Sequence, residues 1–265
     1  MELRSVFITS FVSLATGFAL NASLGSSAVA NDDVGNGPEL IFELGAGVLV
    51  QPQFEGSDEY MLSPWPIFRP EFISIGPLQF GGGPERAFSL RPAFGIVGER
   101  EVDDVATGID DVDTAIELGL GVSYRYGPFE AAAELRRGVT GHDGLVGEAT
   151  IQAILEPTER VSVSIGPEVT FADDEYMDTY FSVSAAESVA SGLDQFEASA
   201  GVKSVGVSAK SRVTVTENWS VLGRASAYQL VGDAADSPIV DDEGAATQFT
   251  AGIGAAYRFR VDFFD

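Results

Sequence analysis

The feature that most constrains this chain is a two-residue rhythm, sustained over segments of about ten residues and repeated along most of its length. In residues 40–48 the even positions Leu40, Phe42, Leu44, Ala46 and Val48 are apolar, while the odd ones include Glu43, Gly45 and Gly47. Ile116, Leu118, Leu120, Val122 and Tyr124 likewise oppose Glu117, Gly119, Gly121, Ser123 and Arg125. The pattern returns at Val161, Val163, Ile165, Val169 and Phe171 against Ser162, Ser164, Glu168 and Thr170, and at Val205, Val207, Ala209, Val213 and Val215 against Ser208, Lys210, Arg212 and Thr214. Successive side chains on a β-strand point to opposite faces, so each segment presents one apolar and one polar surface.

A soluble β-sandwich also alternates, and three details favour a membrane barrel. The segments exceed the five or six residues usual in globular sheets and match a tilted membrane-spanning strand. Tight turns at 127–128, 156–160 and 217–218 alternate with long acidic connections at 99–113, 172–195 and 232–246, the asymmetry of barrels with short periplasmic turns and long outer loops. Apolar faces also carry an aromatic near one end, as with Tyr124, Tyr126, Trp219, Tyr257 and Phe259, where an interfacial girdle belongs. The expected fold is all-β: a single antiparallel transmembrane β-barrel of about 12 strands, with 10 to 14 admissible. Eleven segments are legible, beginning near Leu40, Tyr60, Phe72, Phe88, Thr114, Phe129, Leu145, Val161, Val202, Trp219 and Thr247. An even count requires one more or one fewer, and residues 179–184 supply a twelfth candidate. The region from Tyr60 to Gly83 is awkward, because Pro64, Pro66, Pro70 and Pro77 cannot donate ladder hydrogen bonds.

The amino terminus has the zones of a secretory signal: Arg4 is basic, residues 6–20 are mostly apolar, and Ala28-Val29-Ala30 is a small-x-small cleavage site. The expected organisation is a cleaved signal peptide at 1–30, a polar leader at 31–38 and the barrel at 39–265. Cleavage removes one acid (Glu2) and one base (Arg4), so the mature chain keeps the full formal charge of −25. Such a surface suits no nucleic acid partner, because phosphate contacts need basic residues. There is no cysteine, which removes disulfides, thiolate nucleophiles and thiolate metal sites.

Several strings resemble the MltA-interacting protein/OmpV family. They are Phe54-Glu55-Gly56-Ser57-Asp58-Glu59-Tyr60 followed by Pro64 and Pro66, then Gly141-His142-Asp143-Gly144, then Tyr180-Phe181-Ser182-Val183-Ser184 with Glu187-Ser188 and Ser191-Gly192-Leu193. The longest runs from Leu230-Val231-Gly232-Asp233 through Ser237-Pro238-Ile239-Val240, ahead of a last strand containing Tyr257-Arg258-Phe259. Ser182 stands where the family commonly has glycine. The resemblance implies a Gram-negative outer-membrane barrel that acts as a structural scaffold, bringing a lytic murein transglycosylase to a penicillin-binding protein that synthesises murein (peptidoglycan). The alternative is a narrow outer-membrane channel or solute transporter, which the same strands would build. Outer-membrane lipid and lipopolysaccharide are the expected surroundings.

No enzyme is expected, and no catalytic, cofactor-binding or metal site is assigned. His142 is the only histidine, with Asp143 beside it. Neighbouring residues on a strand face opposite ways, and Gly141 and Gly144 bracket the pair as a turn, so His142 reads as a solvated loop residue. The loop with Glu99, Glu101, Asp103, Asp104, Asp110, Asp111 and Asp113 lacks the spaced acid-glycine arrangement of a dedicated calcium loop and reads as a solvated charge run. If the alternation holds, Glu117, Glu130, Glu134, Glu148 and Glu168 point inward with Arg125, Arg136, Lys210, Arg212, Arg224 and Arg258. Pairing among them predicts a closed lumen.

Overall fold

The computed structural model describes residues 18–20, 39–52, 55–75, 78–81, 88–100, 108–242 and 244–262. The alternating segments form a single antiparallel sheet, in the order β1-β5-β6-β7-β8-β9-β10-β11-β12-β2-β3-β4. The strands are β1 (Phe18–Leu20), β2 (Glu39–Pro52), β3 (Tyr60–Ile75), β4 (Leu78–Gly81), β5 (Phe88–Val97), β6 (Ala115–Tyr126) and β7 (Phe129–Gly138). They continue with β8 (Leu145–Thr158), β9 (Val161–Ala172), β10 (Gly201–Thr214), β11 (Trp219–Leu230) and β12 (Thr247–Asp262). Every one except β1 and β4 has at least 10 residues, so the all-β barrel is built on ten long strands. The last strand pairs with β2, the first long one, from Asp262↔Glu39 to Ala251↔Val50. The expected signal peptide and leader lie outside the described residues apart from β1, which pairs with the distal part of β5.

Two parts of the strand reading change. The segments beginning near Tyr60 and Phe72 are one strand, β3, bonded to β2 along its length with a single irregularity between Ile41 and Phe42. Pro64, Pro66 and Pro70 all sit at even positions, so their missing N–H groups fall on one edge of the strand, and the ladder to β2 uses the other. Residues 179–184 do not form a strand. They contain the end of a helix, α1 (Asp174–Phe181), and a single bridging residue, Val183.

The wall is inverted relative to a soluble protein. On β6, Ile116, Leu118, Leu120, Val122 and Tyr124 are exposed, while Glu117 and Ser123 on the opposite face are buried. Leu44, Val48 and Val50 of β2, and Phe249, Ile253 and Phe259 of β12, are exposed in the same way. Large apolar side chains turned outward around a wall whose interior holds the charges require a hydrocarbon solvent. An aromatic arc marks one margin: Trp219 packs on Tyr257 (5.2 Å), Tyr257 on Phe259 (4.8 Å), Phe259 on Phe42 (5.3 Å) and Phe42 on Phe68 (6.2 Å). This margin lies at the end with the tight turns, which is the periplasmic end of a membrane barrel. No helix among the described residues is long and apolar enough to cross a membrane, so the crossing is made by strands.

Candidate functional site

At the other end, the long connections fold into a packed cap instead of lying open as loops. Asp173 starts α1 by accepting from the Tyr176 N–H (3.0 Å), and Asp174 and Glu175 place acid at the positive helix start. Tyr176, Met177, Tyr180 and Phe181 all point inward from this one helix and are buried. A second helix, α2 (Ala185–Ser191), opens with a capping box between Ser184 and Glu187 and closes at Gly192, whose φ of 87° suits glycine. Two short turns follow β11, α3 (Asp233–Asp236) and α4 (Pro238–Asp241), the latter begun by Ser237 and Pro238. Ala234, Ile239 and Val240 from these turns join Phe181, Val183, Leu193, Ile109 and Leu230 in two apolar clusters that share Phe196. Ser237 ties them together by donating its hydroxyl to the Phe181 carbonyl (2.6 Å).

The polar contacts beneath α1 come from three further parts of the chain. Lys203 of β10 reaches both carboxylate oxygens of Glu55 (2.8 and 3.0 Å), and the Tyr176 hydroxyl donates to Glu55 (3.1 Å). Arg100, just after β5, donates to the Tyr180 carbonyl (2.8 Å) at the carbonyl-rich end of α1. Burial, with Glu55 and Glu117 nearby, pushes the Tyr176 and Tyr180 phenols well up, so both remain neutral hydroxyls.

His142 corrects the solvated-loop reading: only 6 % of it is exposed. Its Nε2 lies 3.2 Å from Glu117 Oε1, its Nδ1 accepts the Gly144 N–H (3.1 Å), and Tyr176 meets the ring edge-on at 5.0 Å. The surrounding glycines have a steric reason. A Cβ on Gly138 would lie 2.7 Å from the imidazole, and one on Gly144 would lie 2.7 Å from Tyr176 Cα. Gly141 adopts φ 74° with the Asp113 carbonyl against it. Sequence alone signals a turn here, and the partner that buries the ring is 25 residues upstream on another strand. Ser182 likewise has an ordinary extended backbone, and its hydroxyl accepts the Ala198 N–H (2.9 Å).

Below the cap the lumen is occupied. Arg136 donates to Glu117 (2.8 Å) and to Glu134, with Glu148 also near its charge. Gly95 is what leaves room for this pair, since a Cβ there would strike the Glu117 carboxylate. Further down, Ile67, Leu222 and Ala256 pack with Trp65 in an apolar layer, and the Arg224 guanidinium lies 5.9 Å from the Trp65 ring. Nearest the periplasm, Arg212 of β10 grips both oxygens of Glu43 of β2, reaching past the two strands between them, while Arg69 approaches to 3.9 Å and Arg258 is Glu43's cross-strand neighbour. The inward set read from alternation thus includes Glu117, Glu134, Arg136 and Arg212 in ion pairs; Glu43 lies on the polar face of its segment but is not in that set, Glu55 lies in a turn and Lys203 at an irregularity of β10, where alternation gives no signal. Of the acidic loop, Glu101, Asp103 and Asp104 lie outside the described residues. Among the described residues no three His, Asp or Glu side chains are placed to hold a metal ion.

Some solved outer-membrane proteins resemble the chain distantly. OmpT of Vibrio cholerae is 10 % identical with a TM-score of 0.29, over 68 % of this chain and 59 % of its own, so the chain spans less than two thirds of that protein. The CymD monoaromatic hydrocarbon channel is 9 % identical with a TM-score of 0.34, over 95 % of each chain. OprG of Pseudomonas aeruginosa is 12 % identical with a TM-score of 0.28, over 86 % of this chain and 99 % of its own. Likenesses this loose carry no argument about function. A search of curated proteins returned no match. The sequence profile described as "MltA-interacting protein MipA" matches residues 44–259, nearly the whole wall together with the cap. The motif-bearing residues Glu55, His142, Tyr180, Phe181, Ser237 and Val240 meet in that cap, and the chain belongs to the MipA family of outer-membrane β-barrel proteins.

Proposed function

We propose that this protein is a non-conducting scaffold of a Gram-negative outer membrane that holds murein-processing proteins together and catalyses no reaction itself. What supports this reading is that interior side chains pack on one another at three levels: the apolar cap, the Trp65–Ile67–Leu222 cluster and the Arg212–Glu43 ion pair. A barrel of this width filled by its own side chains has little room for solute, unlike barrels of 16 to 18 strands that leave an aqueous channel. The family's name points to the partner, a lytic murein transglycosylase of the MltA type, and a penicillin-binding protein is the natural second partner. Outer-membrane lipid surrounds the apolar wall, with lipopolysaccharide beside the outer loops.

The test is co-purification of tagged protein from solubilised envelopes, probed for the transglycosylase and for penicillin-binding proteins. Recovery of both, lost when an unrelated barrel is used as bait, supports the scaffold. Recovery of neither, together with solute flux through the purified protein in liposomes, replaces it with the channel reading.

A further inference from the structure

A recess interrupts the lipid-facing wall where β10, β11, β12 and β2 run side by side, and its volume is about 430 Å³, within the range of pockets that enclose a small ligand. Its floor follows from the register. Ala209, Ala225, Ala251 and Val50 form one outward row across the four strands, and Val207, Ala227 and Phe249 form the next row towards the cap. Ala227 is therefore a gap between the exposed side chains of Val207 and Phe249, opening onto the alanines below it. β11 runs from Trp219 in the periplasmic aromatic arc to Leu230 in the cap core, which puts Ala225 at the middle of the wall and Ala227 in its outer half. The recess thus occupies the depth of the outer leaflet. Hydrogen-bond donors stand at its outer end. Gln229 and Thr247 form the row above Ala227 and Phe249, and the Thr247 hydroxyl donates to Gln229 Oε1 (2.5 Å), which leaves the amide N–H groups of Gln229 to donate. The ladder between β12 and β2 ends at Ala251↔Val50, and Tyr60 of β3 reaches over to accept the Phe249 N–H (3.2 Å). The half-exposed Tyr60 hydroxyl keeps its own proton to donate.

We propose that this recess seats one acyl chain of lipopolysaccharide, with Tyr60 and Gln229 donating to oxygens at the head of the chain. The recess is continuous with the wall that faces lipid, so hydrocarbon is what reaches it. Between apolar surfaces in a bilayer, packing and hydrogen bonds decide what stays bound. A dent left unfilled forfeits the dispersion contacts of its lining, and a chain lying from Ala227 over Ala225 restores them. The polar end selects the occupant. The lipid face of a second copy would set apolar side chains against Tyr60 and Gln229, whereas a lipid brings oxygen where its chain begins. Two donors suit a chain with one oxygen at its carbonyl and another on its β-carbon, as in the β-hydroxyacyl chains of lipid A. A phospholipid chain has only the first. The seat does not depend on which proteins the barrel scaffolds.

Native mass spectrometry of the full protein in detergent micelles, titrated with lipid A, tests the seat. The barrel should retain a single lipid A, about tenfold more tightly than phosphatidylethanolamine. Ala225→Phe fills the recess from its floor and should weaken lipid A about tenfold. Ala255→Phe, on the lipid face of β12 outside the recess, should leave it unchanged. Both substitutions face hydrocarbon and suit a strand, so the barrel should keep its heat-modifiable migration. Tyr60→Phe should bring lipid A down towards phosphatidylethanolamine without abolishing binding. Equal retention of the two lipids, or equal effects of Ala225→Phe and Ala255→Phe, overturns the proposal. A dimer that Ala225→Phe disperses also overturns it, by assigning the recess to a second copy of the chain. Should Ala225→Phe fail to fold, Ala227→Leu blocks the entrance between Val207 and Phe249 and carries the same expectations.

Discussion

The wall and the cap are built on opposite solvents. On β6 the apolar side chains face outward and Glu117 faces in, whereas α1 turns Tyr176, Met177, Tyr180 and Phe181 inward and leaves Asp174, Glu175 and Asp178 outside. One chain therefore carries two hydrophobic surfaces that answer to different physics. The wall's apolar face is satisfied by lipid and its ladder by neighbouring strands. The cap's apolar face is satisfied only by the cap, as in a small soluble domain. Damage to the cap should loosen the cap alone, and damage to the wall should impair insertion of the whole.

The largest effect is expected from Phe181→Ala, which empties a fully buried site in the cap. The cost should be about 3–5 kcal/mol, confined to the outer segments. Limited proteolysis should then cut within 174–200 while the barrel shows the heat-modifiable migration on gels expected of a wall whose backbone groups are paired strand to strand. Loss of that migration would show that cap and wall fold as one unit. Next is a pair of arginines: Leu120→Arg places a charge on a residue 62 % exposed on the wall, and Val189→Arg on a residue 89 % exposed on α2. The first should cost about 2–4 kcal/mol in lipid refolding, the second less than about 0.5 kcal/mol. Equal effects would remove the distinction between the two solvents.

The same distinction explains what could be read in advance. The wall was legible because a strand between lipid and lumen imposes period two on every residue, so β6 and β10 declared themselves. The cap was not. Tyr180-Phe181-Ser182-Val183 has the β-branched and aromatic composition of a strand, and α1 forms there because Asp173 caps it and burial of four side chains on one helix outweighs that preference. The prolines of β3 suggested a break, since the edge on which missing N–H groups fall depends on which neighbour pairs, and that is a tertiary fact. Glu43 and Arg212 lie 169 residues apart, and no local pattern connects them.

Two smaller effects sharpen the account of the cap. Ser237→Ala removes the bond to the Phe181 carbonyl and the cap on Ile239, and should cost about 1–2 kcal/mol, read as faster hydrogen exchange in 174–184 with the wall unchanged. For Glu187, partial burial alone would raise the carboxyl. The backbone N–H groups of Asp110 (3.0 Å) and Ser184 (2.8 Å), with the Ser184 hydroxyl, outweigh burial and hold it below the usual carboxylate range. A lowered folded-state value means that its contribution is full above about pH 4.3 and fades as pH falls through the folded value. Hydrogen exchange at Asp110 and Ser184, corrected for intrinsic rate, should therefore accelerate only below about pH 4, and Glu187→Gln should abolish that dependence.

The central claim is that the barrel is closed by its own side chains, and single-channel recording in a planar bilayer at neutral pH tests it most directly. The wild-type protein should show no steady conductance. The double variant Arg212→Ala, Arg224→Ala, which removes the two-pronged grip on Glu43 and the guanidinium over Trp65, should show intermittent small openings. Steady conductance of porin size from the wild type would contradict the account.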